Sequence, residues 1–140
     1  MNHLQLIAAL GALALAGCQT MQSNFQPDAA ASVANGQVQY VRSGKSIITD
    51  LATSRSGNRD VSLVVTAGGG LPLLELTRGG SGRAHAQGVI ARGSWKGFAT
   101  KAPKHLRGWL RVAEKVAAGE NEFEVDSPES GERFVVRLTR

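Results

Sequence analysis

From Gln37 onward, apolar and polar residues alternate with a period of two and are interrupted by glycine-rich turns, the pattern of an antiparallel meander. Val38 and Tyr40 alternate before a Ser43-Gly44 turn, and Ile47, Thr49 and Leu51 form a second run that ends at Ser54-Arg55-Ser56-Gly57-Asn58. Val61, Leu63 and Val65 make a third strand, Gly68-Gly69-Gly70 a hairpin tip, and Leu71 to Thr77 the return strand. Beyond the glycines between Arg78 and Arg83, the residues Ala84, Ala86, Val89 and Ile90 predict a fifth, irregular strand ending near Trp95. A last hairpin joins Phe123 and Val125 to Phe134, Val136 and Leu138 across Ser127-Pro128-Glu129-Ser130-Gly131. One segment has a different period: Leu106, Trp109, Leu110, Ala113, Val116 and Ala117 fall on a single helical stripe. Pro103 suits the first turn of that helix and Gly119 the position past its end. Gly108 lowers its propensity by about 1 kcal/mol relative to Ala, and basic residues in the first turn oppose the helix dipole. The helix therefore needs tertiary packing on its stripe. The expected class is α+β, mainly antiparallel β, with one amphipathic helix.

The chain starts differently. Met1 to Gly17 holds no Lys, Arg, Asp or Glu, and its apolar run from Leu4 to Ala16 reads as the core of a signal peptide. A spanning helix needs roughly 20 apolar residues, so the run is too short to cross a bilayer. It ends at Leu15-Ala16-Gly17-Cys18, which resembles the lipobox of bacterial lipoproteins; the resemblance implies that residues 1–17 are removed and that Cys18 carries lipid. The n-region offers only the terminal amine and His3 in place of the usual Lys or Arg. An ordinary secretory signal followed by a free thiol, or an uncleaved apolar start, are the alternatives. Residues 18–35, with Gln19 to Asn35 polar and rich in Ala and Ser, read as lipid anchor and tether, which leaves 36–140 as the folded domain. Gln19 is not the aspartate associated with inner-membrane retention in enteric bacteria, so the expected address is the outer membrane, lipid-anchored and facing the periplasm.

With 140 residues, 42% hydrophobic and 19% charged, the chain is sized for one small domain rather than a multidomain enzyme. A single cysteine excludes a disulfide within the chain, so burial must hold the fold. The formal charge of +5 admits lipid surfaces, acidic proteins or nucleic acid as partners; export disfavours nucleic acid. Charge is also segregated. Arg78 to Lys115 holds nine Lys and Arg against one acid, Glu114, whereas Glu120 to Glu132 holds six acids and no base. Either the two blocks pair with each other, or the basic face of Arg92, Lys96, Lys101, Lys104, Arg107 and Arg111 rests on anionic headgroups.

Catalytic signals are few. Gly44-Lys45-Ser46 is not a phosphate loop, because Gln39 stands where the motif requires glycine. His3, His85 and His105 have no metal-ligand spacing to one another, to Cys18 or to carboxylates, so no metal and no cofactor are expected. There is no Gly-x-Ser-x-Gly elbow. The sequence predicts no enzyme, although a dispersed triad would leave no such trace and keeps an envelope hydrolase as a third class.

Across Val61 to Val112 the order of strand, Gly-rich tip, strand, second Gly-rich turn, irregular strand and helix start at Leu106-Arg107-Gly108-Trp109-Leu110 resembles the bacterial lipoprotein-localisation carriers and receptors, the LolA/LolB-like half-barrels. The similarity spans Tyr40 to Val116 and is nearest to the outer-membrane receptor, itself a lipoprotein. It implies a curved open sheet, or half-barrel, with the helix on its concave face and an apolar cavity for the acyl chains of a passenger lipoprotein. Leu71, in the Ala67-Gly68-Gly69-Gly70-Leu71-Pro72 tip, would be the exposed membrane-contact residue, with Leu73, Leu106, Trp109 and Leu110 lining the cavity. The same stripe also reads as simple core. The chain is shorter than a full receptor, with little between helix and last hairpin, which leaves room for a smaller cavity or none. The expected function is binding of acyl chains or a lipidated partner by a monomer; the alternative is a structural adaptor that docks an acidic partner without any ligand cavity.

Overall fold

The computed structural model describes residues 32–57 and 59–139. The expected signal peptide, Cys18 and most of the expected tether lie outside the described residues. Eight strands follow in order: β1 (Ser32–Arg42), β2 (Lys45–Arg55), β3 (Val61–Thr66), β4 (Pro72–Arg78), β5 (Arg83–Gly88), β6 (Gly93–Phe98), β7 (Glu122–Ser127) and β8 (Glu132–Thr139). A 3-10 turn (Ala99–Lys101) and helix α1 (Lys104–Ala117) stand between β6 and β7. All strands belong to one open antiparallel sheet in the order β6-β5-β4-β3-β2-β1-β8-β7. This is the expected α+β class of a curved sheet with a single helix packed against it.

Alternation decides which face each strand buries. Val38, Leu51, Leu63, Val65, Leu74, Leu76, Phe134 and Val136 point to the helix side and are almost fully buried. The helix covers that face with Leu106, Trp109, Leu110, Ala113 and Val116. Its buried surface is wider than the predicted stripe, because Gly108 and Val112 are covered as well. Pro103 occupies the N-cap rather than the first turn. At the other end Gly119, with φ of 87°, donates to the Val116 carbonyl and Glu120 donates to that of Lys115, a Schellman closure that needs a residue free to adopt positive φ.

Three expectations are corrected. The single irregular strand between Ala84 and Trp95 is two strands, β5 and β6, joined by a turn at Val89–Arg92. Val89 and Ile90 are apolar without being strand residues, which is why period-two reasoning merges the pair. Secondly, β1 begins at Ser32, so the tether gives up its last four residues, Ser32 to Asn35, to the sheet. Thirdly, β2 runs on to Arg55 through residues expected to form a turn.

The topology gives the sheet two distinct ends. The β1–β2, β3–β4, β5–β6 and β7–β8 turns gather at one, the tip end. The other is traced by the cross-strand pairs Ser32↔Arg55, Arg55↔Val61, Val61↔Arg78, Arg78↔Ala84 and Arg83↔Phe98. That is the tail end, where the chain arrives from residues 1–31.

Candidate ligand cleft at the tip end of the sheet

Tyr40 on β1 faces Phe134 on β8 and Ile47 on β2 by register, and α1 lays Trp109 beside them. The Tyr40 and Trp109 rings stack at 6.1 Å with 12° between planes, while Phe134 meets Trp109 edge-on at 4.8 Å and Tyr40 at 5.4 Å. Such offset and edge contacts are the favoured aromatic geometries. The trio plugs the concave face near the tip end.

Above the plug lies a cleft of about 210 Å³ with Tyr40, Ile47, Leu73, Val89, Ile90 and Trp109 as its apolar wall. Arg42, Arg92, His105 and Glu132 bring charge to the same cleft. The β5–β6 turn is held over it because the Ile90 amide donates to the Leu73 carbonyl at 3.0 Å. Gly88 allows that approach: a Cβ there would lie 2.7 Å from the Leu73 oxygen. On the helix side, His105 Nε2 lies 3.3 Å from the Ala91 carbonyl oxygen. Burial, with the Glu132 carboxylate next to it, pushes the Tyr40 hydroxyl up to about 12, against a smaller opposite effect of Arg42. At its mouth Val89 is 71% exposed and Ile47 is exposed as well, while Leu71, 60% exposed, stands in the β3–β4 turn at the same end of the sheet.

A broader hollow of about 650 Å³ at the tail end is lined by Arg59, Arg78, Gly79, Gly80 and Glu114. Its wall is polar, and an Arg78–Glu114 ion pair of 2.8 Å lies in it. Ala117 and Ala118 are its only apolar side chains, with none of the large aliphatic or aromatic residues that usually line small-molecule sites.

The expected lining residues separate. Leu106 and Leu110 are buried core, Trp109 lines the cleft while almost fully buried, Leu73 is half-buried in its wall, and Leu71 stands at the tip. The six basic residues separate too. Arg92 sits on the cleft rim, in the left-handed region at φ 57°. Lys96 lies on the outer face of β6, and Lys101 and Lys104 are exposed before and at the helix start. Arg107 Nε donates to the Ala102 carbonyl at 3.0 Å. Arg111 grips both carboxylate oxygens of Glu129, at 3.0 and 2.5 Å, and holds that carboxyl down at about 2. Among the described residues the ion pairs otherwise join Arg78 to Glu114, Lys115 to Glu120, and Arg133 to Glu124 and Asp126. The acidic block is thus largely matched by nearby cations, whereas Arg92, Lys96, Lys101, Lys104 and Arg107 enter none of these pairs.

Sequence reasoning missed Tyr40, Arg42, Ile47, His105 and Glu132 as cleft residues. One signal was present. Glu132 heads the inward series Glu132, Phe134, Val136, Leu138 and is 6% exposed, an acid in a core register.

Among the described residues there is no cluster of His, Cys, Asp and Glu able to hold a metal ion, and no helix long and apolar enough to cross a membrane. No family model matches this chain, and no curated protein matches it.

Proposed function

We propose that the chain is an exported outer-membrane lipoprotein, anchored through Cys18 and facing the periplasm, whose tip-end cleft takes an acyl chain or a lipidated segment of a partner. Its role is binding, not catalysis. One observation carries this reading: exposed Val89 and Ile47 border a cleft floored by Trp109 and Tyr40, with Arg42 and Arg92 beside it. Apolar burial would drive entry at about 0.8 kcal/mol per CH₂, and the arginines suit a carboxylate or phosphate head. The LolA/LolB-like resemblance implies the same ligand class. The capacity is smaller than that resemblance implies, because α1 fills the concave face and 210 Å³ lies below the roughly 300 to 1,000 Å³ of ordinary ligand pockets. One chain end fits; a bundle of acyl chains does not.

The adaptor reading has less support, since Arg107 and Arg111 are turned onto the protein's own acceptors. Titration of the purified protein with a fluorescent fatty acid tests the cleft. Saturable binding that Val89→Asp weakens at least tenfold is expected; no saturable binding, with unchanged Trp emission, would refute it. Metabolic labelling with an alkyne palmitate tests the anchor, with label expected on the wild type and absent from Cys18→Ala.

A further inference from the structure

The outer face of β5 and β6 carries a second surface, at the opposite end of the sheet from the cleft. Because Ala84 and Ala86 point inward, Arg83, His85 and their partners Phe98 and Lys96 point outward. These four residues and Thr77 line a groove of about 390 Å³. Phe98 is 47% exposed, and the Arg83 guanidinium carbon lies 5.1 Å from its ring centroid. Neither Arg83 nor Lys96 enters an ion pair among the described residues. An exposed aromatic ring between unneutralised cations has the composition of a surface that meets lipid headgroups.

Topology supplies a second, independent argument. Phe98 and Arg83 pair at the tail end of the sheet, where β1 begins at Ser32. Thirteen residues separate Cys18 from Ser32, and fully extended they span at most about 45 Å. The groove lies only four or five strand spacings from β1, about 20 to 25 Å along the sheet. An anchor attached at Cys18 thus tethers the chain from the end that carries the groove. The tip-end cleft, beside Tyr40, lies about 26 Å along β1 from Ser32, at the opposite end of the sheet.

The geometry points to the Arg83–His85–Lys96–Phe98 face as a docking surface for an anionic lipid bilayer, which turns the tip-end cleft away from the anchoring membrane. The inference does not depend on the cleft having a ligand; it shares with the preceding reading only the anchor at Cys18. Docking is electrostatic, with Phe98 entering at the headgroup boundary.

The test uses the full chain carrying Cys18→Ser, so that no acyl anchor contributes, and vesicles of phosphatidylcholine alone or with phosphatidylglycerol. The apolar start of the chain would bind both kinds alike, so the readout is the preference for anionic vesicles. Each surface cation contributes about a fivefold factor in partitioning; the double variant Arg83→Glu with Lys96→Glu should therefore lower the preference at least about 25-fold. Lys45→Glu with Lys104→Glu, equal in charge change and away from both cleft and groove, should leave most of it. Equal loss in both variants would reduce the effect to net charge and overturn the assignment. So would absence of any anionic preference combined with binding to a polyglutamate peptide, which would assign the face to an acidic protein. Phe98→Trp gives a direct reading: blue-shifted emission quenched by brominated lipid is expected beyond that of the wild type, and an added indole that brominated lipid leaves unquenched overturns the proposal. Failure of palmitate labelling would remove the anchor and leave these results standing.

Discussion

The ring of Phe134 occupies the space that a side chain at position 108 would need: a Cβ on Gly108 would lie 2.3 Å from Phe134 Cε2 and 2.7 Å from Cζ. A residue that weakens the helix in isolation thus lets the helix sit down on β8. Gly108→Ala would gain about 1 kcal/mol of helix propensity and lose more to overpacking, which costs about 1 to 3 kcal/mol or above. Net destabilisation is expected in urea unfolding. Adding Phe134→Leu should recover part of the loss relative to the sum of the single changes, because the two sites share one space. Strict additivity would break the link between them.

Tyr40 is the only tyrosine in the chain, so its ionisation can be followed by absorbance without interference from another phenol. Burial and the neighbouring Glu132 carboxylate raise it from 10.0 to about 12. A raised value stabilises the fold fully below the ordinary value, and that stability is lost as pH climbs through the folded one. The tyrosinate signal should therefore appear near pH 12 in the folded protein, and stability should decline from pH 10 upward. A midpoint near 10 with the fold intact would contradict the burial of the hydroxyl.

The Arg111–Glu129 pair ties α1 to the β7–β8 turn, and its acid side is depressed from 4.5 to about 2 by the guanidinium hydrogen bonds first. The sign is opposite to that of Tyr40: the contribution is present above pH 4.5 and disappears as pH falls towards 2. Wild type should melt above Glu129→Gln at neutral pH, with the difference shrinking through that window. The site is exposed and the effect should be modest. A difference that grows on acidification would show that the glutamate acts in some other way.

Two positions on β2, three residues apart and on opposite faces, should respond differently. Leu51 is 1% exposed on the inner face and Ile48 is 63% exposed on the outer. Leu51→Ala should cost about 2 to 5 kcal/mol, whereas Ile48→Ala should stay within about 0.5 kcal/mol. Chemical denaturation of both variants reads the contrast directly, and the reverse ranking would place the strand one residue out of register.

Much of this architecture is legible in the chain, for reasons specific to particular residues. Val61, Leu63 and Val65 alternate cleanly because one face of β3 is buried, and the α1 stripe from Leu106 to Val116 shows because the helix packs on one layer. The β5–β6 hairpin is not legible, since its inward residues are Ala84 and Ala86 while its turn carries Val89 and Ile90. Apolarity there serves the cleft mouth, not the strand period. The charged blocks are visible in sequence, but the choice of Glu129 for Arg111 is a tertiary event. The cleft itself needs β1, β2, β4, the β5–β6 turn, α1 and β8 to converge, and no local pattern encodes that.

Strand β8 lies against β1, and Thr139 Oγ1 donates to the Asn35 carbonyl at 3.0 Å across 104 positions of sequence. The first described strand therefore waits for the last one. During synthesis, β1 has β2 on one side and an open ladder on the other until residues 132–139 emerge. Long-range pairing of this kind is slow to form. The order of strands thus acts as a timer: the sheet is completed only once residues 132–139 are free to pair with a strand made about a hundred residues earlier.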